Sequence, residues 1–108
     1  MTEEPYTYFA NLAAEIPQIP AGSILSRQVL TAGKVKATLF RFDAGQELTE
    51  HTAAAPAILH FLEGEAAITL GTDAKTAGPG AWVYMPARLP HSLVAKKQVV
   101  MLLLLLEG

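Results

Sequence analysis

From Gln98 to Leu106 the chain reads Gln-Val-Val-Met-Leu-Leu-Leu-Leu-Leu, eight consecutive apolar residues after one amide. The run is far short of the roughly 20 residues a membrane helix needs. Periodicity alone would allow a short helix, but the length and the strand-like pattern that precedes it favour a β-strand. In a strand, Val99, Met101, Leu103 and Leu105 point one way while Val100, Leu102, Leu104 and Leu106 point the other, so neither face suits water. Such a strand has to lie inside a sheet, with a second sheet against one face. The other face needs the N-terminal segment or a second subunit, and a homodimer is the expectation taken here.

The rest of the chain is cut into short runs by turn chemistry, which is the pattern of an all-β domain. Ser23–Leu30 and Val35–Phe42 flank Thr31-Ala-Gly-Lys34 and read as a hairpin. Asp43-Ala-Gly45, Glu63-Gly64-Glu65, Gly71-Thr-Asp73 and Gly78-Pro-Gly80 mark further reversals, since glycine tolerates positive φ and proline fixes its own. Ala57–Leu62 and Ala66–Leu70 are strands between them, the first apolar on both faces except for His60. Residues 1–22 carry the helical character. Asn11 is placed to cap a short turn in which Leu12 and Ile16 share a face before Pro17 and Pro20 end it. The expected division is an N-terminal arm over 1–22 and one β-domain over 23–108.

Composition excludes several functions. With 108 residues the chain suits a single domain, and with 51% hydrophobic and 17% charged residues it carries more apolar surface than a private core needs. A net charge of −2, with Lys96-Lys97 as the only adjacent basic pair, gives no footprint for nucleic acid. The absence of cysteine removes disulfides, thiolate metal sites and thiol nucleophiles, and fits a reducing compartment. The acidic start Met1-Thr-Glu-Glu-Pro5 lacks the features of a secretory signal, so a cytoplasmic protein with no membrane partner is expected.

Two stretches resemble the paired motifs of the cupin family. The first is Gly45-Gln-Glu-Leu-Thr-Glu-His51 continuing through Ala53 and Ala57 to Phe61-Leu-Glu-Gly64, and the second is Gly80-Ala-Trp-Val-Tyr-Met-Pro86-Ala-Arg-Leu-Pro90-His91. Together with the strands between them they cover about residues 23–106. The resemblance implies a small RmlC-like barrel of jelly-roll type (a double-stranded β-helix), often dimeric, with a pocket inside. It also implies a metal site in which His51 and His91 occupy ligand positions. Four positions depart from the pattern: Ala53 and Ala57 stand where a second histidine and a glutamate are usual, Arg88 stands for a glycine, and Ala95 for an asparagine.

Cupin metal sites gather three or four imidazoles and a carboxylate around a divalent ion, leaving positions open for substrate or dioxygen. This chain keeps two imidazoles. The function expected is therefore a small organic ligand held in the barrel through His51 and His91, with Ala53, Ala57, Trp82 and Tyr84 lining an enlarged, apolar pocket. The alternative is a metal-dependent enzyme, a dioxygenase, isomerase or lyase. There Zn, Fe, Mn or Ni would be bound by His51, His91 and a third group. Glu47 shares parity with His51 if that segment is regularly extended. His60 lies on the opposite face of an unbroken strand unless a bulge turns it. A barrel used only for association is a third reading. Arg27 and Arg41 are read as exposed strand charges, or as cations for an acidic ligand. Ser92 adjoins His91 on the other strand face and has no acid placed to complete a triad. Glu63 and Glu65 flank a hairpin glycine and face solvent.

Overall fold

A computed structural model describes residues 5–107. After a single 3-10 turn at Leu12–Glu15, nine strands follow: β1 (Ile24–Ala32), β2 (Val35–Phe42), β3 (Glu47–His51), β4 (Ala57–Glu63), β5 (Ala66–Leu70), β6 (Asp73–Ala77), β7 (Trp82–Met85), β8 (His91–Ala95) and β9 (Val99–Leu106). All the strand pairs are antiparallel. They form a five-stranded sheet in the order β1-β2-β9-β4-β7 and a four-stranded sheet in the order β3-β8-β5-β6. No helix among the described residues is long and apolar enough to cross a membrane.

The apolar run is β9, paired along one edge with β2 and along the other with β4, so it lies in the middle of its sheet. Its Val99 and Met101 enter the main core between the sheets, with Phe42, Leu59, Phe61, Ile68, Met85 and Leu93. Phe40 and Phe42, two residues apart and hence on one face, stack with ring centroids 5.8 Å apart and extend that core along β2.

The other face of the five-stranded sheet is covered only in part. Ile16, Leu39 and Val100 form a second core there, with Leu12, Ala13, Leu25, Val29, Leu62 and Leu102 packed around it, so the N-terminal arm is one of the covers the sequence called for. Further out, Thr7, Phe9 and Leu12 bridge to Val29, Leu30, Ala37, Leu102 and Leu104 across a groove of about 200 Å³.

The arm is fixed by polar bonds as well as by burial. Arg41, only 5% exposed, donates from Nη1 to Gln98 Oε1 at 2.9 Å and from Nη2 to the Ile16 carbonyl at 3.1 Å. This corrects the reading of Arg41 as an exposed charge. The outward face of β2 at that position lies beneath the arm, and the guanidinium fastens the arm down. Its Nε has no hydrogen-bond partner among the described residues. Asp43 Oδ2 accepts the Gly22 N–H at 2.6 Å. Arg27 remains exposed, and its Nη1 donates to the Glu15 carbonyl at 2.6 Å.

One glycine turn is required by packing. Gly64, between β4 and β5, has φ of 86°, and a Cβ placed there would stand 2.0 Å from the Gln98 carbonyl oxygen. Only glycine suits both the left-handed backbone and that close approach.

Candidate functional site: an imidazole pair in the barrel

The two motif histidines meet. His51 ends β3, His91 opens β8, and the two are direct partners across the antiparallel ladder. Residues opposite one another in such a ladder share a face. His91 is in turn the partner of Leu70 on β5, whose side chain packs against the main core. The row His51–His91–Leu70 therefore lies on the inner face of its sheet, with His91 and Leu70 half-buried and His51 exposed.

A β-bulge makes this possible. Leu48 and Leu93 are partners and both pack into the core, and His91 lies two residues before Leu93 and so on the same face. His51 lies three residues after Leu48, which in a regular strand would turn it outward. The register shift between Leu48 and His51 absorbs the extra residue and returns the imidazole to the face of Leu48 and His91.

The same bulge removes Glu47 from the site. The expected shared parity of Glu47 and His51 assumed a regular strand; instead Glu47 pairs with Val94, one position away from the inward Leu48–Leu93 row, and is exposed. His60 also stays away. The shift in β4 lies between Phe61 and Glu63, beyond His60, so His60 remains opposite the inward Leu59 and Phe61 and is paired with Leu102 and Trp82. No other histidine, cysteine, aspartate or glutamate joins the pair to make a group of three among the described residues.

The ring centroids of His51 and His91 are 4.1 Å apart with the planes inclined at 59°. Nδ1 of His51 lies 2.9 Å from the Thr49 carbonyl oxygen, and Nδ1 of His91 lies 2.9 Å from the Leu89 carbonyl oxygen. A carbonyl oxygen only accepts, so each Nδ1 carries the proton, and in the neutral ring Nε2 keeps its lone pair. Each ring is thus oriented by its own backbone two residues upstream. Neutral imidazoles of this kind are good metal ligands, but two of them fall short of the three or more protein ligands that hold most transition ions. The donor set does not fit the metal centre implied by the family pattern.

The alanines occupy different settings. Ala57 is 2% exposed and belongs to the main core beside Met85 and Leu105, its partners on β7 and β9. Ala53 lies half-buried in the loop after His51, and its carbonyl accepts the Arg88 N–H at 2.7 Å. That bond ties the turn before His91 to the loop after His51. Arg88 itself has φ of 67°, so the backbone keeps the left-handed form suited to the glycine of the motif, at a cost of roughly 1–2 kcal/mol for a residue with a Cβ.

A pocket of about 380 Å³ opens where the two sheets part between β6 and β7, walled by Ile68, Leu70, Lys75, Thr76, Ala77, Ala81 and Val83. Leu70 belongs both to this wall and to the row containing His91. Trp82 and Tyr84 border the pocket but are 58% and 52% exposed. They alternate with the inward Val83 and Met85, so they stand on the outer side of the sheet and not beside the histidines. Sequence reasoning missed the bulge and the place of Lys75 at the pocket wall; alternation from Ile68 through the Gly71 turn could have placed Lys75, the partner of Ile68, but not the bulge.

Comparison with known proteins agrees with this architecture. The chain is similar to a conserved protein of unknown function from Streptococcus pyogenes, at 29% identity and a TM-score of 0.81 over 99% of this chain and 91% of that one. It is likewise similar to a cupin superfamily protein from Desulfitobacterium hafniense, at 25% identity and a TM-score of 0.85 over 96% and 94%. KdgF from Halomonas sp., at 21% identity and a TM-score of 0.77 over 95% and 96%, shares the fold. No curated protein matches significantly. The cupin domain model matches residues 38–106, which include both motifs and the strands that bring their histidines together, and the chain belongs to the cupin family.

Proposed function

We propose that this protein binds a small organic ligand in the barrel, with a polar group of the ligand on Nε2 of His51 or His91. The observation that carries the reading is the pair of imidazoles whose Nδ1 protons are both committed to backbone carbonyls. The ring atoms left for a ligand are hydrogen-bond acceptors, so they suit a hydroxyl or amine donor. The apolar walls formed by Ile68, Leu70 and Val83 suit a hydrocarbon portion of the same molecule. A reducing, cytoplasmic setting belongs to the same proposal, supported by the absence of cysteine.

The test is NMR of the histidine ring nitrogens during titration with a panel of small hydroxylated and amine-bearing metabolites. Binding should shift the Nε2 signals of His51 and His91, and His51→Ala or His91→Ala should weaken it tenfold or more. A compound that binds equally well to both variants would remove the histidines from the site. Stoichiometric transition metal in untagged protein, lost in either variant, would replace this reading with the metal enzyme.

A further inference from the structure

Lys75 stands on the inner face of an edge strand. It is the ladder partner of Ile68, whose side chain is buried in the core between the sheets, and residues opposed in a ladder share a face. β6 is the outermost strand of its sheet, so no further strand covers Lys75, and its side chain borders the pocket that opens toward β7. Among the described residues that wall this pocket, Lys75 alone carries a full charge. Its ammonium belongs to no ion pair among the described residues. Asp73 shares its face two residues earlier, but it is exposed, lies outside the pocket wall and does not pair with it.

We propose that the ligand of this protein is a hydrocarbon carboxylate with a hydroxyl or amine at its far end, its carboxylate on Lys75 Nζ and its donor on the imidazole pair. The inference rests on the histidine site proposed above and adds the anionic end of the molecule. The inner-face rows supply the geometry. His51, His91 and Leu70 form one row, and Leu48, Leu93, Ile68 and Lys75 form the next. The path from His91 to Lys75 covers two strand spacings across and two residues along, roughly 12 Å between backbones. Leu70 and Ile68 lie on the strand between them and make the floor apolar. A ligand held at both ends has to cross that floor, so a stretch of hydrocarbon separates its two polar groups. A 2-hydroxy acid, whose groups are adjacent, is too short to reach both.

The position of the lysine also suits a charged end group. Burying a carboxylate without a partner is costly, whereas Lys75 is exposed at the mouth, where the carboxylate gains a cation and keeps contact with water. An inward charge on an edge strand has a second use, since it guards against pairing with another sheet. That duty requires a charge but no ligand, and ligand binding separates the two.

The test is NMR titration of the full chain with ω-hydroxy carboxylates of about five to ten carbons, each compared with the diol of the same length. The acids should bind about fivefold more tightly than the diols at low salt, with a best chain length and an advantage that shrinks as salt is added. Lys75→Met, which keeps the stem and removes the charge, should bring the acids down to the diols and leave the diols unchanged. Lys75→Arg should retain the preference. The position is exposed, so circular dichroism should show the fold intact in both variants. Acids that bind no better than diols at any length, or a preference that survives Lys75→Met, would overturn the proposal even where His91→Ala still weakens the diols. A preference lost in Lys75→Met, with both series indifferent to His91→Ala, would instead uphold the lysine end and overturn the histidine reading.

Discussion

Two halves of one sheet face behave differently although the sequence builds them alike. Val100 and Leu104 are both outward residues of β9, yet Val100 is fully buried and Leu104 is half-open. The difference comes from residues far away in sequence. Ile16 fits over Val100 and Leu39, and the bonds of Arg41 to the Ile16 carbonyl and Gln98, with that of Gly22 to Asp43, fix the arm above them. Among the described residues no such clasp reaches the β4–β7 half, where Trp82 and Tyr84 stay exposed. An apolar strand face therefore specifies that a cover is needed, and polar anchors decide which part of it the chain covers for itself.

The strongest way to break this contrast is to unseat the arm. Ile16→Ala should cost about 3 kcal/mol, as expected for truncating a large, fully enclosed aliphatic side chain, measured by urea unfolding. A loss well under 1 kcal/mol would mean that the arm is not a working cover. Arg41→Ala should cost roughly 2 kcal/mol, because the Ile16 carbonyl and the Gln98 amide oxygen lose a charged donor in a buried place. Its signature would be faster amide exchange in residues 12–16 than in β9.

A smaller effect is expected with pH. The Gly22 N–H and then the Ala44 N–H hold the Asp43 carboxyl below its ordinary value against an opposing desolvation, with the Gln98 side chain adding the least. A lowered folded-state value means that the unfolded chain binds the proton first. The stabilisation is therefore present above the usual aspartate value of about 4 and is lost as pH falls through the depressed one. Asp43→Asn should flatten stability across that acid range, and an unchanged acid limb would remove Asp43 from the clasp. The smallest effect belongs to the bare half. Trp82→Ser should alter the unfolding free energy of the monomer by no more than about 0.5 kcal/mol, measured where the chain is dilute, because most of the ring already lies in water.

Much of the fold could be read from residues alone. The glycine turns, the hairpin over β1 and β2 and the two-faced strand β9 follow from local chemistry and alternation, and the structure moves their limits by only a residue or two. The site was legible where it depended on spacing between motifs, as His51 and His91 show by meeting. It was not legible where it depended on counting faces along a strand. Glu47 looked like a companion of His51, and His60 was a possible replacement ligand, because nothing in side-chain chemistry announces where a ladder will slip. Arg41 misled for a related reason: a cation on an outward strand face reads as solvated until a distant segment is seen to lie over it.

The bulge between Leu48 and His51 adds a residue to β3 without changing the face on which its histidine lies. Over that interval one strand spends three residues where its neighbour, from Leu93 to His91, spends two. Replacing Glu50, an exposed residue within it, with another polar side chain leaves the imidazole facing inward. Deleting Glu50 would place the histidine two residues after Leu48, matching the spacing from Leu93 to His91, so a regular ladder without the bulge would still keep it on the inner face. In a lineage built on this barrel, the histidine pair can thus survive a one-codon deletion within the bulge as well as point substitutions there.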